Sequence, residues 1–287
     1  MNAVRALLAW CTYPLTLTLA VGGTVAGVRA GWPPAAVVMG LIFVLALSLM
    51  WLERWMPHRE AWLRPLAELQ VDVAHMVNTG ISTEIFRALT FGGLLIVATW
   101  LTARLGMNLW PQEAPASVQL GLALLIGDFG AYWVHRTAHE GTLIWKVHAM
   151  HHSSERLHTL SSGRNHPGNA ILAYGSQVVP LILLGANTEV LATLSAFTAV
   201  HGMLQHCNAD LRHGVLNHVF ATADLHRWHH STDFDESNTN FGSNLAIWDK
   251  VFGTWSLPHR NGPARVGLDD VDLPERFWAH LISPLDL

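Results

Sequence analysis

Six apolar runs, at residues 6–28, 35–52, 85–101, 118–134, 171–184 and 190–204, constrain this chain more than any other feature. A helix needs roughly 20 apolar residues to cross a bilayer, and only structures that satisfy their own backbone hydrogen bonds persist there. The expectation is an all-α, multi-span transmembrane protein with about four to six membrane-embedded helices, the shorter runs being tilted or paired as hairpins. Composition agrees, with 51% hydrophobic residues, 13% charged residues and a mean hydropathy of +0.27. A soluble domain carries nearly twice that share of charge. Pro14 lies inside the first run, where a kink is expected and tolerated. That run resembles a signal peptide but lacks a small-residue cleavage site, so it reads as a retained span.

Lysine and arginine set the expected orientation. Counted from an inside N-terminus, the inner segments hold Arg5, then Arg54, Arg59 and Arg64, then Arg136, Lys146, Arg156 and Arg164, then every basic residue from Arg212 onward. The outer loops hold only Arg29 and Arg104. This places the polar, histidine-rich segments on the cytoplasmic side of an integral membrane protein, expected in a bacterial inner membrane, where reducing equivalents are available. The net charge of -4 and the lack of a basic run give no footprint for nucleic acid. Cys11 and Cys207 are too far apart in sequence to form a CxxC motif.

Fourteen of the 18 histidines fall between His135 and His230, and their spacing carries the chemistry. His135 and His139 are four apart; His148, His151 and His152 follow an i, i+3, i+4 pattern, which His226, His229 and His230 repeat. On a helix these separations place imidazoles on one face, within reach of a shared ion. Eight imidazoles suit two metal ions with positions left for O2. Imidazole alone does not choose among iron, copper and zinc. The H-E-x-x-H motif of zinc hydrolases is not present in the sequence.

Residues 127–255 resemble the fatty acid hydroxylase/sterol desaturase superfamily. The matching residues are Asp128, Tyr132, Trp133, His135, Arg136 and His139, then Trp145, His148, His151, His152 and Ser153, then Arg164, His166 and Pro167. They continue with His206 and Asn208, with His226, His229, His230 and Ser231, with Asn240, Phe241 and Gly242, and with Trp248, Asp249, Phe252, Gly253 and Thr254. The resemblance implies a cytosolic helical cap holding a His-lined di-iron site, with O2 as co-substrate, that hydroxylates or desaturates a lipid. Zinc can occupy the iron positions in purified protein. It also implies a lipid substrate in the bilayer and a separate electron donor of ferredoxin, cytochrome b5 or reductase type. The first 117 residues match only as hydrophobic spans. The expected division is N-terminal helices over 1–117, a catalytic domain over 118–258 and a tail over 259–287, with a short helix near 275–281.

The match to the superfamily's H-x-N element adds His206 to the ligands, and His201, from inside the last run, is a further candidate. His158 and His166 read more readily as neighbours of ligands, while His213 and His218 read as solvated loop residues. Asp128 lies two helical turns before His135 and is expected to accept the outer N–H of a metal-bound imidazole, as a residue of the catalytic site. Asn208 is a second candidate there, and Asn240 and Asn244 are candidates for ordering water or imidazoles. His166-Pro167-Gly168-Asn169 resembles the haem loop of cytochrome b5, but the chain then enters an apolar run, and no haem, flavin or nicotinamide motif follows. Alternatives to hydroxylation are desaturation at the same site and, from another class, metal transport or storage.

Overall fold

A computed structural model describes residues 3–63, 69–269 and 276–285. Among them there is no β-strand, only three isolated bridges. The long helices are α1 (Ala3–Arg29), α2 (Pro34–Trp55), α3 (Gln70–Leu105), α4 (Ala116–Glu140), α6 (Pro167–Leu184) and α7 (Thr188–His206). Shorter ones follow or intervene: α5 (Thr142–His152), α8 (Ala223–His229), α9 (Phe234–Ser237), α10 (Ile247–Phe252) and α11 (Phe277–Ile282). Glu275, the expected start of the last helix, and Arg64, counted in the inner segments, lie outside the described residues.

Five of these helices, α1, α2, α3, α4 and α6, are long and apolar enough to cross a membrane. Their outward side chains are those that lipid accepts: Leu89 is 80% exposed, Ile96 72%, Met39 67% and Phe43 66%. The sixth apolar run, α7, is different. It packs against α1, α2, α4 and α8, and its polar members Thr193, His201, Gln205 and His206 are buried by protein. Shielded by neighbours, α7 carries more polar side chains than a lipid-facing span could.

α3 also departs from its apolar run. It starts fifteen residues before that run, and its 36 residues extend ~54 Å at 1.5 Å per residue. That exceeds the ~30 Å hydrocarbon layer. Its first turns pack on a 3-10 turn (Thr159–Gly163) and on α11 instead of on lipid. α4 and α6 approach closely, and a Cβ on Gly130 would collide with the Ser176 carbonyl.

The loops at one end of the bundle are tied together by Arg29 to Glu189 at 2.8 Å and by Gln112 to the Gly185 carbonyl at 2.5 Å. At the other end α4 stops, Gly141 reverses the chain into α5, and α7 terminates against α8. The histidine segments meet there.

Candidate metal centre

The last two turns of α4 carry His135 and His139, and the last two turns of α5 bring back His148, His151 and His152. His206 closes α7, while α8 supplies His226 and His229, with His230 at its C-cap. Nine imidazoles thus converge from four helices. They form two groups, one of His135, His139, His148, His152 and His229, the other of His151, His206, His226 and His230. Within each group the candidate ligand atoms lie within 4.8 Å of one another.

Ring nitrogens face each other at short range. His148 and His152 Nε2 are 3.1 Å apart; His151 to His206, His206 to His226 and His226 to His230 are 3.3, 3.2 and 3.0 Å, all through Nε2. Two donors at 2.0–2.1 Å from one ion, at tetrahedral or octahedral angles, stand roughly 2.9–3.4 Å apart. The nitrogens of His135, His139 and His229 at Nε2 are buried without any hydrogen-bond partner, as are those of His226 and His230 at Nδ1. An ion would satisfy the three Nε2 atoms; it would not reach the Nδ1 atoms of His226 and His230, whose Nε2 atoms face the other rings.

Five rings donate their far N–H to protein: His135 Nδ1 to the Phe241 carbonyl at 2.8 Å, His148 to Asn169 Oδ1 at 3.1 Å, and His151 to the Arg164 carbonyl at 3.3 Å. His206 donates to the Gly202 carbonyl and His229 to the Thr239 carbonyl, both at 2.8 Å. Each such bond leaves Nε2 as the lone-pair nitrogen. Burial, and next the neighbouring rings, push His148, His151, His152, His226, His229 and His230 well below the usual histidine range. Neutral imidazole is the form that ligates. Donor type, spacing and orphaned nitrogens therefore fit two first-row metal ions.

The remaining candidates lie elsewhere. His201 belongs to neither group: its Nε2 meets the Tyr13 hydroxyl at 2.8 Å and its Nδ1 the Ser243 carbonyl at 3.3 Å. The structure does not bring it together with the other imidazoles. Asp128 holds no imidazole either. Its carboxylate accepts the backbone N–H groups of Asn244 at 2.6 Å and Leu245 at 3.1 Å, because the loop after α9 reaches it first. Asn208 is likewise structural in its contacts. Its amide exchanges two 3.0 Å bonds with the backbone of Arg59, pinning the segment after α2 to the end of α7.

His166 caps α6 by accepting from Gly168 N–H, and His158 lies 3.1 Å from Asp72. His213 is buried, 3.0 Å from Asp224, whereas His218 is exposed and stacked on Trp255. Two supporting residues escape the sequence reading. Glu53 Oε1, on α2, accepts from Thr159 N–H, the Thr159 hydroxyl and Asn208 N–H at 2.6–2.8 Å. Asp72 holds Arg164, whose carbonyl orients His151. A lone carboxylate near the end of an apolar helix, as Glu53 is, was the available signal.

The model of the fatty acid hydroxylase family matches residues 120–254, a span that includes all nine histidines. The chain is 37% identical over 250 residues to ornithine lipid hydroxylase OlsE of Rhizobium tropici, covering 86% of this chain and 74% of that protein. The chain belongs to the fatty acid hydroxylase family. Within the wider fatty acid hydroxylase/sterol desaturase superfamily it is also similar to human alkylglycerol monooxygenase, 33% identical over 135 residues. That match takes in 46% of this chain and 29% of the human protein. A very-long-chain aldehyde decarbonylase of Oryza sativa subsp. indica is 28% identical over 145 residues, 44% of this chain and 21% of its own length. The similarity to the Rhizobium hydroxylase extends beyond the family match and takes in part of the helical region before residue 120. No solved structure matches the chain.

Proposed function

We propose that this fatty acid hydroxylase family member hydroxylates a C–H bond in the acyl chain of a membrane aminolipid, using O2, two iron ions and electrons from a separate donor. The observation that carries the reading is the pair of all-imidazole groups, five and four histidines strong, with His135 and His139 half-buried and the other seven rings buried, in a chain with five membrane-length helices. Iron bound there would supply the O2 activation. The balance is one lipid C–H, one O2, two electrons and two protons, giving one alcohol and one water.

The chain's own contribution is to ligate, orient and exclude solvent. Neutral rings hold the ions, backbone carbonyls fix the ring tautomers, and burial keeps bulk water out. The lysine and arginine distribution supports a cytoplasmic location for the centre, within reach of a soluble donor. The Rhizobium relative supports a lipid carrying an ornithine-type headgroup as substrate. Metal transport is disfavoured, because transport calls for ligands along a path through the bilayer. Among the described residues the only groups with metal-ligand geometry are the two at one end.

Lipids extracted from cells with and without the gene, grown under 18O2, test this reading. The expected product is an aminolipid carrying one added 18O atom only when the gene is present. A product lacking two hydrogens and carrying no label would replace hydroxylation by desaturation, and an unchanged lipid profile would overturn the enzymatic reading.

A further inference from the structure

The segment 239–245 joins the membrane helices to the cap at one of the two histidine groups. Thr239 and Phe241, separated by a single residue, both turn their carbonyls to that group: one accepts from His229 on α8, the other from His135 on α4. Between them sits Asn240, with φ +56°, the only non-glycine residue in the left-handed region among the described residues. Asparagine tolerates this conformation better than most residues.

The turn is held from every side. Asn240 donates from its backbone to the Thr254 carbonyl at 2.8 Å, and its amide bridges Leu225 and Ser256. Asp249, buried on α10, accepts Phe241 N–H at 2.7 Å and Gly242 N–H at 2.8 Å, one on each oxygen. Asp128, buried on α4, accepts Asn244 and Leu245 N–H in the same two-oxygen fashion. Two buried carboxylates thus anchor a seven-residue loop whose backbone oxygens reach two ligands of the five-histidine group. None of its carbonyls reaches a ring of the four-histidine group; His151 and His206 bond to Arg164 and Gly202, and the Nδ1 atoms of His226 and His230 have no partner.

We propose that this loop is a carbonyl clamp that sets the metal affinity of the five-histidine position alone, with Asn240, Asp249 and Asp128 as its positioning residues. The inference rests on the reading of the nine histidines as metal ligands. Carbonyl acceptors orient the ring and raise its basicity, and loss of such partners costs 10–100-fold in affinity in comparable sites.

The test is anaerobic titration of the full-length, metal-free protein in detergent with Co(II), followed by visible absorption. The unmutated chain is expected to bind two equivalents. In Asn240→Ala and Asp249→Ala one equivalent should bind as before and the other about 10–100-fold more weakly. Asn240→Gly keeps the positive φ but not the amide bonds to Leu225 and Ser256, and should restore the part of the loss that comes from backbone conformation. If Asp249→Ala does not fold, Asp249→Asn, with one acceptor oxygen turned into a donor, should weaken the same equivalent. Both equivalents unchanged, or both weakened alike, would overturn the clamp. An unmutated chain that binds no Co(II) would overturn the ligand reading itself, a separate result.

Discussion

Asp72, near the start of α3, and Arg164, 92 residues later, form a buried ion pair, with guanidinium nitrogens 2.9 and 2.8 Å from one carboxylate oxygen. The other oxygen lies 3.1 Å from His158 Nε2. The Arg164 carbonyl accepts from His151, so a charge on a membrane-length helix steadies a candidate metal ligand in the cap.

Removing one partner of such a pair leaves the other buried and uncompensated, a loss of about 3–5 kcal/mol. Asp72→Ala is therefore expected to lower stability by that amount in detergent unfolding. The double variant Asp72→Ala/Arg164→Met should recover part of it, since no lone charge remains. A double variant as unstable as the sum of its singles would contradict the pairing.

Glu53 gives a second, graded prediction. Its Oε1 satisfies two backbone N–H groups, those of Thr159 and Asn208, and Glu53→Ala orphans both. The cost is on the order of 1–3 kcal/mol for each buried donor left unpaired. Glu53→Gln keeps an acceptor oxygen at that position and should lose much less. Equal thermal shifts for the two variants would show that the carboxylate oxygen is not the acceptor that matters.

His201 and His206 separate ligation from burial. Both are buried on α7, yet only His206 faces other imidazoles. His201→Gln is expected to retain the full metal content, and His206→Ala to lose up to half of it, measured by elemental analysis per chain. Metal loss in His201→Gln would return that residue to the ligand set.

Acid should destabilise the metal-free protein. The six histidines outside the spans have folded-state pKa values well below 6.5, because burial disfavours the charged ring. Above about pH 7.5, a unit beyond the ordinary histidine value, these rings are neutral folded and unfolded, and contribute no pH dependence. Below it the unfolded chain takes up protons that the folded chain refuses, so stability falls by up to about 1.4 kcal/mol per pH unit for each such ring. The melting temperature is expected to be level above about pH 7.5 and to drop progressively below it. A melting temperature that holds or rises on acidification would contradict the buried, neutral cluster.

The spans are legible in the sequence because lipid-facing helices must be apolar almost all round, and the histidine groups because i, i+3 and i+4 spacings survive translation into α5 and α8. The early turns of α3 are not legible: Asp72 and His75 face protein, so no apolar run marks that stretch. His201 and His206 are five residues apart, about 140° around a helix at 3.6 residues per turn, which already sets them on different faces. Asp128 shares a face with His135 as expected, but which partner reaches a carboxylate depends on a loop 116 residues away. The carbonyls of Thr239 and Phe241 are invisible to any reading of side-chain types, since any residue supplies one.

Nine histidines in two groups are placed to hold two metal ions. Anaerobic reconstitution of the full-length protein with Fe(II), followed by removal of free metal and iron determination per chain, counts those ions. Two iron atoms per chain are expected, falling to about one when His226 and His230 are both replaced by alanine, because those residues serve one group only. One iron or none in the unmutated chain, or two retained in that double variant, would overturn the assignment of the nine rings to two ions.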